Sequence, residues 1–321
     1  MTTELKRSLR VSAALALTLA LTACNTPAFQ AGLAYGRGVS QLNAGRYEAA
    51  IESFNKALQF DSDLAVAYND RGLAKYQLRR FDEALVDLNT AMRKNPRLGV
   101  AYNNRGLVYD ATGRQKEAIA DFDEALRITP GDALTLSNRG LTRYHMQDDD
   151  RALSDLDAAL AAKPGYPNAL NNRGMVHLRQ GDIDQAISDF RMALETAPRM
   201  REPHVNLANA FDQSGEYDSA VVHGRIGIEI GGGSASAHNN LGMALQHLHQ
   251  NDSALAHFDT ALARDPRLIA ALSNRGILLL DMGRTVEARR DLEAVIANGT
   301  RPDLIEDARV RLRRIGAQVK Q

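Results

Sequence analysis

Glycine recurs in this sequence at a fixed interval of 34 residues, and this periodicity constrains the fold more than any other feature. The series, with alanine in one place, is Gly38, Gly72, Gly106, Gly140, Gly174, Ala208, Gly242 and Gly276. Alanine keeps the same interval from Ala50 to Ala288 without interruption. A period of this length predicts an array of supersecondary units, because each unit buries its apolar face only against its neighbours.

Each unit contains two stretches typical of helices, which we call helix A and helix B. The glycines near the break between them are Gly45, Gly113, Gly181, Gly215 and Gly283. Phe or Leu follows the repeated alanine by four residues in most units, and proline closes five units. This arrangement resembles the tetratricopeptide repeat (TPR). The resemblance implies an all-α fold, a right-handed superhelical solenoid of about eight helix hairpins with a C-terminal capping helix.

The periodicity also predicts where the segments of the chain begin and end. A capping helix at 303–321 follows the repeats, and the segment before them, by its resemblance to the N-termini of bacterial lipoproteins, implies a signal peptide at 1–23 and a lipidated tether at 24–30. The predicted units are 31–64, 65–98, 99–132, 133–166, 167–200, 201–234, 235–268 and 269–302. The sixth unit, 201–234, is degenerate because Gly224 stands where the other units have Phe or Leu and Gly227 where most of them have Ala, and we expect its second helix to be frayed. Since glycine destabilises a helix interior by roughly 1 kcal/mol relative to alanine, we expect a softer joint there.

The N-terminus has the features of an export signal. Lys6, Arg7 and Arg10 precede an apolar run at 11–23, which is too short to span a bilayer and is typical of a secretory signal peptide. The run ends in LTAC, and Cys24 is the only cysteine of the chain. This ending resembles the bacterial lipobox, which implies that Cys24 is lipidated and anchors the protein to a membrane. An ordinary signal peptide with an unrelated cysteine is the alternative.

The charges of the chain exclude one class of function. Lysine plus arginine and aspartate plus glutamate each number 39, so the formal net charge is zero. No global positive field attracts nucleic acid, and we predict no nucleic-acid partner. We also predict no cofactor, no catalytic residue and no metal ligand.

Arginine and aspartate occur together at fixed places in five units. When the places of a unit are numbered from 1, with the aligned glycine at place 8, arginine stands at place 7 and aspartate at place 23. The pairs are Arg71 with Asp87, Arg105 with Asp121, Arg139 with Asp155, Arg173 with Asp189, and Arg275 with Asp291. Because a hairpin that turns near place 15 brings places 7 and 23 level, we predict an ion pair that joins the two helices. A ladder that binds anions is the alternative.

Asparagine and apolar residues recur at places that line the concave surface in the repeats this chain resembles. The asparagines at places 5 and 6 are Asn103, Asn104, Asn138, Asn171, Asn172, Asn206, Asn239, Asn240 and Asn274. Apolar residues at place 9 include Leu107, Leu141, Met175 and Met243. A carboxamide both donates and accepts hydrogen bonds, so we predict that these residues bind the backbone of an extended peptide. The alternative is that the asparagines serve the fold.

These observations lead to one main functional hypothesis and two alternatives. The main one is a non-catalytic scaffold, anchored by lipid and facing the periplasm, most readily at the outer membrane. It binds proteins or peptides of the cell envelope and serves protease or peptidoglycan-hydrolase complexes. A homo-oligomer is compatible with this reading. The alternatives are a pilotin-like assembly factor for a pilus or secretin, and a ligand- or metal-binding protein that uses the histidine-rich seventh unit.

Overall fold

A computed structural model describes residues 26–318, and within that range every regular element is an α-helix. The first eight helices are α1 (Pro27–Asn43), α2 (Tyr47–Phe60), α3 (Ala65–Gln77), α4 (Phe81–Lys94), α5 (Gly99–Ala111), α6 (Gln115–Ile128), α7 (Ala133–His145) and α8 (Asp149–Ala162). The others are α9 (Pro167–Gln180), α10 (Ile183–Thr196), α11 (Arg201–Ser214), α12 (Tyr217–Gly231), α13 (Ala235–His247), α14 (Asn251–Arg264), α15 (Ile269–Asp281), α16 (Thr285–Asn298) and α17 (Pro302–Gln318). Odd-numbered helices up to α15 are A helices, and even-numbered helices are B helices. The predicted all-α hairpin array is confirmed.

The turn of every hairpin contains a residue in the left-handed region at place 15. Five of these residues are the predicted glycines, with φ between 70° and 87°. In three other hairpins the same place holds Arg79, Gln147 and His249, with φ of 60°, 64° and 59°. The left-handed conformation costs roughly 1–2 kcal/mol for a residue with a Cβ atom. The turn geometry is therefore imposed by the packing of the two helices, even where the sequence does not supply glycine.

The repeated glycine at place 8 allows helix A to approach a large side chain of helix B. A Cβ atom added to Gly106 would lie 2.6 Å from the ring of Phe122, which is fully buried. Gly276 is less crowded, since its added Cβ would lie 3.2 Å from Leu292. The pairing of a small place 8 with a large place 24 explains why the glycine series is so regular.

The sixth hairpin forms a continuous second helix in spite of its glycines. Helix α12 runs to Gly231, and a Cβ atom added to Gly227 would lie 2.9 Å from Cγ2 of Val205 on α11. Here glycine brings the two helices close. Leu207 and Phe211 of this hairpin belong to a buried apolar cluster that also includes residues of the hairpins before and after it. The packing is continuous at the expected softer joint, and faster hydrogen exchange of its backbone amides stays a prediction.

The chain divides between Ala162 and Lys163 into two compact bodies, with α1–α8 in the N-terminal body and α9–α17 in the C-terminal body. The predicted capping helix is present as α17, with Ala308 and Ile315 buried against α14–α16. Val319, the last apolar residue expected on it, lies outside the described residues.

One predicted boundary is wrong at the N-terminus. Helix α1 begins at Pro27, so residues 27–30 are helical and do not belong to a tether. Thr26 caps this helix, because its hydroxyl accepts a hydrogen bond from the backbone N–H of Phe29 at 3.3 Å. The predicted signal peptide and Cys24 lie outside the described residues. Among residues 26–318, no helix combines the length and the apolar character that crossing a bilayer requires.

Candidate functional site

Neighbouring A helices contact one another within each body and form a surface of their own. Helix α3 contacts α5 and α5 contacts α7, and in the C-terminal body α11 contacts α13 and α13 contacts α15. We call the side chains at places 2, 5, 6, 9, 12 and 13 of the A helices the A-helix face. This face contains every residue for which the sequence predicts a role in partner binding.

Asparagine side chains on the A-helix face bond to one another across hairpin boundaries. Nδ2 of Asn104 donates to Oδ1 of Asn69 in the preceding hairpin, at 3.0 Å. The equivalent bonds run from Asn138 to Asn103 (2.9 Å), from Asn206 to Asn171 (2.9 Å) and from Asn274 to Asn239 (3.0 Å). In each case the donor at place 6 lies 35 residues after the acceptor at place 5. Where place 5 is tyrosine, the hydroxyl of Tyr35 donates to Asp70 at 2.8 Å in the same geometry.

A second bond between adjacent asparagines, within three of the A helices, extends these links. Nδ2 of Asn103 donates to Oδ1 of Asn104 at 3.1 Å, and Asn171 and Asn239 donate to Asn172 and Asn240 in the same way. A buried carboxamide must have partners, because an unsatisfied polar group costs roughly 1–3 kcal/mol. The asparagines meet this requirement with one another, so they fix the position of one hairpin on the next.

The asparagine links change the predicted binding site. The buried members are Asn103, Asn104, Asn171, Asn172 and Asn239, which expose 7% of their surface or less. These five carboxamides are not available to a partner's backbone, since they are covered and bonded inside the array. The other four, Asn138, Asn206, Asn240 and Asn274, are half-buried. Partner contact by those four stays a prediction.

The A-helix face also presents accessible apolar side chains. At place 9, Leu107 and Leu141 are half-buried in the N-terminal body. Met175 and Met243 are half-buried in the C-terminal body, where each sulfur lies 3.6–3.7 Å from the amide of a place-5 asparagine. At place 2, Val100 and Leu134 are 43% and 41% exposed. The sequence-based selection of site residues missed these two, although apolar residues at an outward place were a signal for them.

The predicted arginine–aspartate pairs are present in all five hairpins. Nε and Nη2 of each arginine donate to the two carboxylate oxygens of the aspartate, at 2.5–2.9 Å. The aspartates are buried, and the hydrogen bond to Asp121 is the largest cause that raises the pKa of Arg105. These bidentate pairs hold helix A to helix B.

The arginines also reach the preceding hairpin, which the sequence analysis did not predict. The third nitrogen, Nη1, donates to the side chain at place 25 of that hairpin, at 2.5–2.7 Å. The acceptors are Asn55 for Arg71, Asn89 for Arg105, Asp123 for Arg139 and Asp259 for Arg275. Each of these guanidinium groups therefore has its donors engaged in protein contacts, which argues against the anion-binding alternative.

Histidine pairs replace the arginine–aspartate pairs in the sixth and seventh hairpins. Nδ1 of His204 lies 2.9 Å from Nδ1 of His223, and Nδ1 of His238 lies 3.0 Å from Nδ1 of His257. The rings are stacked with centroids 5.2 and 5.3 Å apart. Burial, followed by nearby histidine or arginine charges, lowers the pKa of His223 and of His238. Such a pair accommodates one shared proton, because protonation of both rings would set two N–H donors against each other.

The remaining histidine contacts do not assemble a metal site. His247 bonds to Asp212 at 2.9 Å and its ring lies 4.5 Å from that of Tyr217. Within the described part of the chain, no three or more potential metal ligands lie close enough together to hold an ion. The geometry gives the histidine-rich alternative no support.

Comparison with known proteins agrees with the hairpin geometry. The tetratricopeptide repeat family matches residues 69–133, 138–201 and 177–235, and related tetratricopeptide models match 42–78 and 235–268. No curated protein matches the chain.

Several solved structures share the fold at low sequence identity. A chain of the Cut9–Hcn1 hetero-tetramer of the APC/C is 20% identical with a TM-score of 0.71, over 75% of this chain and 48% of that one. This chain therefore spans about half the length of that relative. PilF of Pseudomonas aeruginosa (20% identity, TM-score 0.57) is covered over 94% of its length and 64% of this chain. PilW, a type IV pilus biogenesis factor (18%, TM-score 0.57), is also covered over 94% of its length and 63% of this chain. From the repeated hairpins and the family match, the chain belongs to the tetratricopeptide repeat family.

Proposed function

We propose that this protein is a lipid-anchored, non-catalytic scaffold of the cell envelope that binds proteins or extended peptides on its A-helix face. The observation that carries the proposal is the exposure of Val100 and Leu134, beside half-buried Leu107 and Leu141, on successive A helices. Exposed apolar side chains that share a face are typical of protein-binding surfaces. TPR arrays are scaffolds suited to protein–protein interaction, which supports the same reading.

The polar contacts beneath this face favour binding over catalysis. The asparagine links and arginine–aspartate pairs hold neighbouring A helices in fixed positions, so the surface is preorganised before a partner arrives. Preorganisation strengthens binding because less freedom is lost when the complex forms. The polar residues that recur from unit to unit thus bond to one another inside the array, and we assign the protein no reaction.

The membrane anchor is the second part of the proposal. Lipidation of Cys24, two residues before the cap of α1, would hold the first hairpin beside the membrane. A diacylated cysteine would add roughly 0.8 kcal/mol of membrane affinity per buried CH₂ group. Fractionation of cells that express the wild type and Cys24→Ala tests this point. We expect the wild type in the membrane fraction and the variant in the soluble fraction.

Photo-crosslinking from the A-helix face tests partner binding directly. A photoreactive amino acid at Leu107 or Leu134 should capture envelope proteins in living cells, and mass spectrometry would identify them. The matched control is Val86 on α4, which is 66% exposed on a B helix. Capture from Val86 equal to that from both A-helix positions would contradict binding on this face. Recovery of a protease or a peptidoglycan hydrolase would support the scaffold assignment.

A pilus or secretin assembly factor is the second candidate. It is supported by PilF and PilW, whose structures match this fold over almost their whole length. At 18–20% identity this likeness concerns the fold, so the captured partner decides between the candidates. Recovery of secretin or pilus proteins in the same crosslinking experiment would favour the assembly factor.

A further inference from the structure

The A-helix face of the N-terminal body contains no lysine or arginine. At its six places in α1, α3, α5 and α7, the ionisable side chains besides tyrosine are Asp70, Asp110 and His145. Asp70 already accepts hydrogen bonds from Tyr35 and from Asn69, at 2.8 and 2.9 Å. The charge that this face presents to a partner therefore depends on whether Asp110 has a partner within the chain.

Asp110 has an oxygen that no neighbour satisfies. Its Oδ2 lies 3.6 Å from Nδ1 of His145 on α7, at the outer limit of an ion pair. Its Oδ1 is buried and accepts no hydrogen bond from the described residues. Burial, and then the charge of Asp110, raises the pKa of Tyr76, which indicates that the carboxylate lies near that phenol. The side chain of Asp110 is 18% exposed, so a cationic donor from outside the chain can reach the carboxylate, and a charge-assisted hydrogen bond to it would be stronger than a neutral one.

A cavity lies at the other end of the same helix. It has a volume of about 150 Å³ and opens between α5 and α7 beside the end of α6. Its walls are formed by the apolar residues Gly99, Val100, Ala125 and Leu134 together with the polar residues Asn103, Thr129, Asp132 and Thr135. A cavity of about this size holds a group as large as benzene in a protein interior. Val100 and Leu134 are both exposed at its mouth, so an aliphatic side chain would cover them.

The two features are separated by a defined distance along α5. Val100 and Asp110 lie ten residues apart on one helix, which corresponds to about 15 Å at 1.5 Å per residue. An extended peptide advances about 3.3 Å per residue, so it covers that distance in four to five residues. Charge complementarity requires the group near Asp110 to be positive, because the face itself offers no lysine or arginine.

We propose that the N-terminal body binds an extended peptide that places an aliphatic side chain in this cavity and a lysine or arginine against Asp110, four to five residues away. This inference rests on the proposed function, and it adds the chemistry of the partner. The C-terminal body differs at both positions. Its place-2 residues are largely polar, and the equivalent carboxylate, Asp212, is bonded to His247 at 2.9 Å.

A scanning peptide library tests the proposal on the full-length chain in detergent. The probes are mixtures of N-acetylated, C-amidated dodecapeptides with leucine fixed at position 4 and every other position randomised. Peptides retained by the immobilised protein are sequenced by mass spectrometry. We expect lysine and arginine to be enriched at positions 8 and 9, and that enrichment to disappear for Asp110→Asn. A selected lysine peptide should bind Asp110→Asn about tenfold more weakly than the wild type, as expected for loss of a charge-assisted hydrogen bond.

Two further variants separate the parts of the site. Changing the leucine at position 4 of a selected peptide to serine should weaken its binding to the wild type and leave its binding to Leu134→Ser unchanged. Asp212→Asn, the matched control in the C-terminal body, should leave the selection unchanged. Leu134 is on the surface, so circular dichroism should show the same melting temperature for that variant and the wild type. If basic residues are not enriched, or if Asp110→Asn keeps the enrichment, the proposal is overturned.

The same experiment distinguishes failure of the inference from failure of the proposed function. Retention of peptides with another preference would overturn the inference and leave peptide binding in place. No retention of any peptide, together with no crosslink from Leu107 or Leu134 in cells, would overturn both. A dimer that Leu134→Ser converts to a monomer would assign the cavity to a second copy of the chain, which also overturns the peptide proposal.

Discussion

Removal of one arginine from the array should destabilise its hairpin strongly, and Arg105 is the clearest case. Its guanidinium makes two bonds of 2.7 Å to Asp121 and one of 2.6 Å to Asn89 in the preceding hairpin. In Arg105→Leu, the carboxylate of Asp121 would remain 5% exposed without a cation. Breaking a buried pair by removing one partner costs about 3–5 kcal/mol. Because the Arg105 side chain is 21% exposed and water reaches it, we expect the lower end, about 3 kcal/mol.

The leucines of the sixth and seventh hairpins suggest the companion variant. Leu207 and Leu241 occupy place 7 there and are fully buried, so this place accepts leucine when no carboxylate faces it. We therefore expect Arg105→Leu combined with Asp121→Leu to recover most of the loss, since replacing a buried pair with apolar groups is often nearly neutral. The matched control is Arg127→Leu, which removes an exposed pair with Glu124 on α6 and should leave stability nearly unchanged, because exposed ion pairs contribute little.

Native-state hydrogen exchange is the suitable assay, because a repeat array does not always unfold in a single step. The opening free energies of amides in α5 and α6 should fall in Arg105→Leu, while those in α15 and α16 stay constant. A loss below about 1 kcal/mol, or a double variant no more stable than the single one, would refute the reasoning that the pair is a buried and coupled unit.

Three other predictions follow from the packing. Burial lowers the pKa of His223 and of His257, so below about pH 6.5 the unfolded chain binds protons that the folded chain does not. Amide exchange in α11–α14, corrected for intrinsic exchange rates, should therefore accelerate as the pH falls below that value and stay constant above it. Gly106→Ala should lower the urea midpoint by overpacking the facing phenylalanine, whereas Gly276→Ala should be neutral or stabilising, and equal midpoints for the two variants would contradict this. His249→Gly should raise the urea midpoint slightly by relieving its positive φ, and a lower midpoint would count against strain in that turn.

Contacts inside one hairpin could be predicted from the sequence. The spacing of Arg105 and Asp121 about place 15 was sufficient to predict their bond, because the turn fixes which residues of the two helices are level. The same reasoning located the hairpins, even where place 15 is Gln147. The sequence analysis of the sixth hairpin was incomplete, since it took Gly227 only as a source of helix fraying. The structure shows that this glycine allows α12 to approach α11.

Contacts between hairpins could not be predicted in this way. They depend on the position of each hairpin along the helix axes of the next one, and the period of the sequence does not give that position. The bond from Asn104 to Asn69 and the bond from Arg105 to Asn89 both belong to this class. The sequence also contained an unused indication of the two histidine contacts. His204 with His223, and His238 with His257, repeat the same 19-residue separation in consecutive units.

The asparagine links also bear on how arrays of this kind change length during evolution. Each link joins place 5 of one hairpin to place 6 of the next, so a 34-residue copy with asparagine at both places, such as 99–132, brings one acceptor and one donor with it. A tandem duplication of residues 99–132 would supply Asn103 and Asn104 again, and both new junctions would find the groups they need. Insertions or deletions of whole repeats are therefore tolerated by this network, whereas a slip of one residue within an A helix would disconnect it. The molecule can acquire a longer binding surface by copying a gene segment, without a new solution to the contact between hairpins.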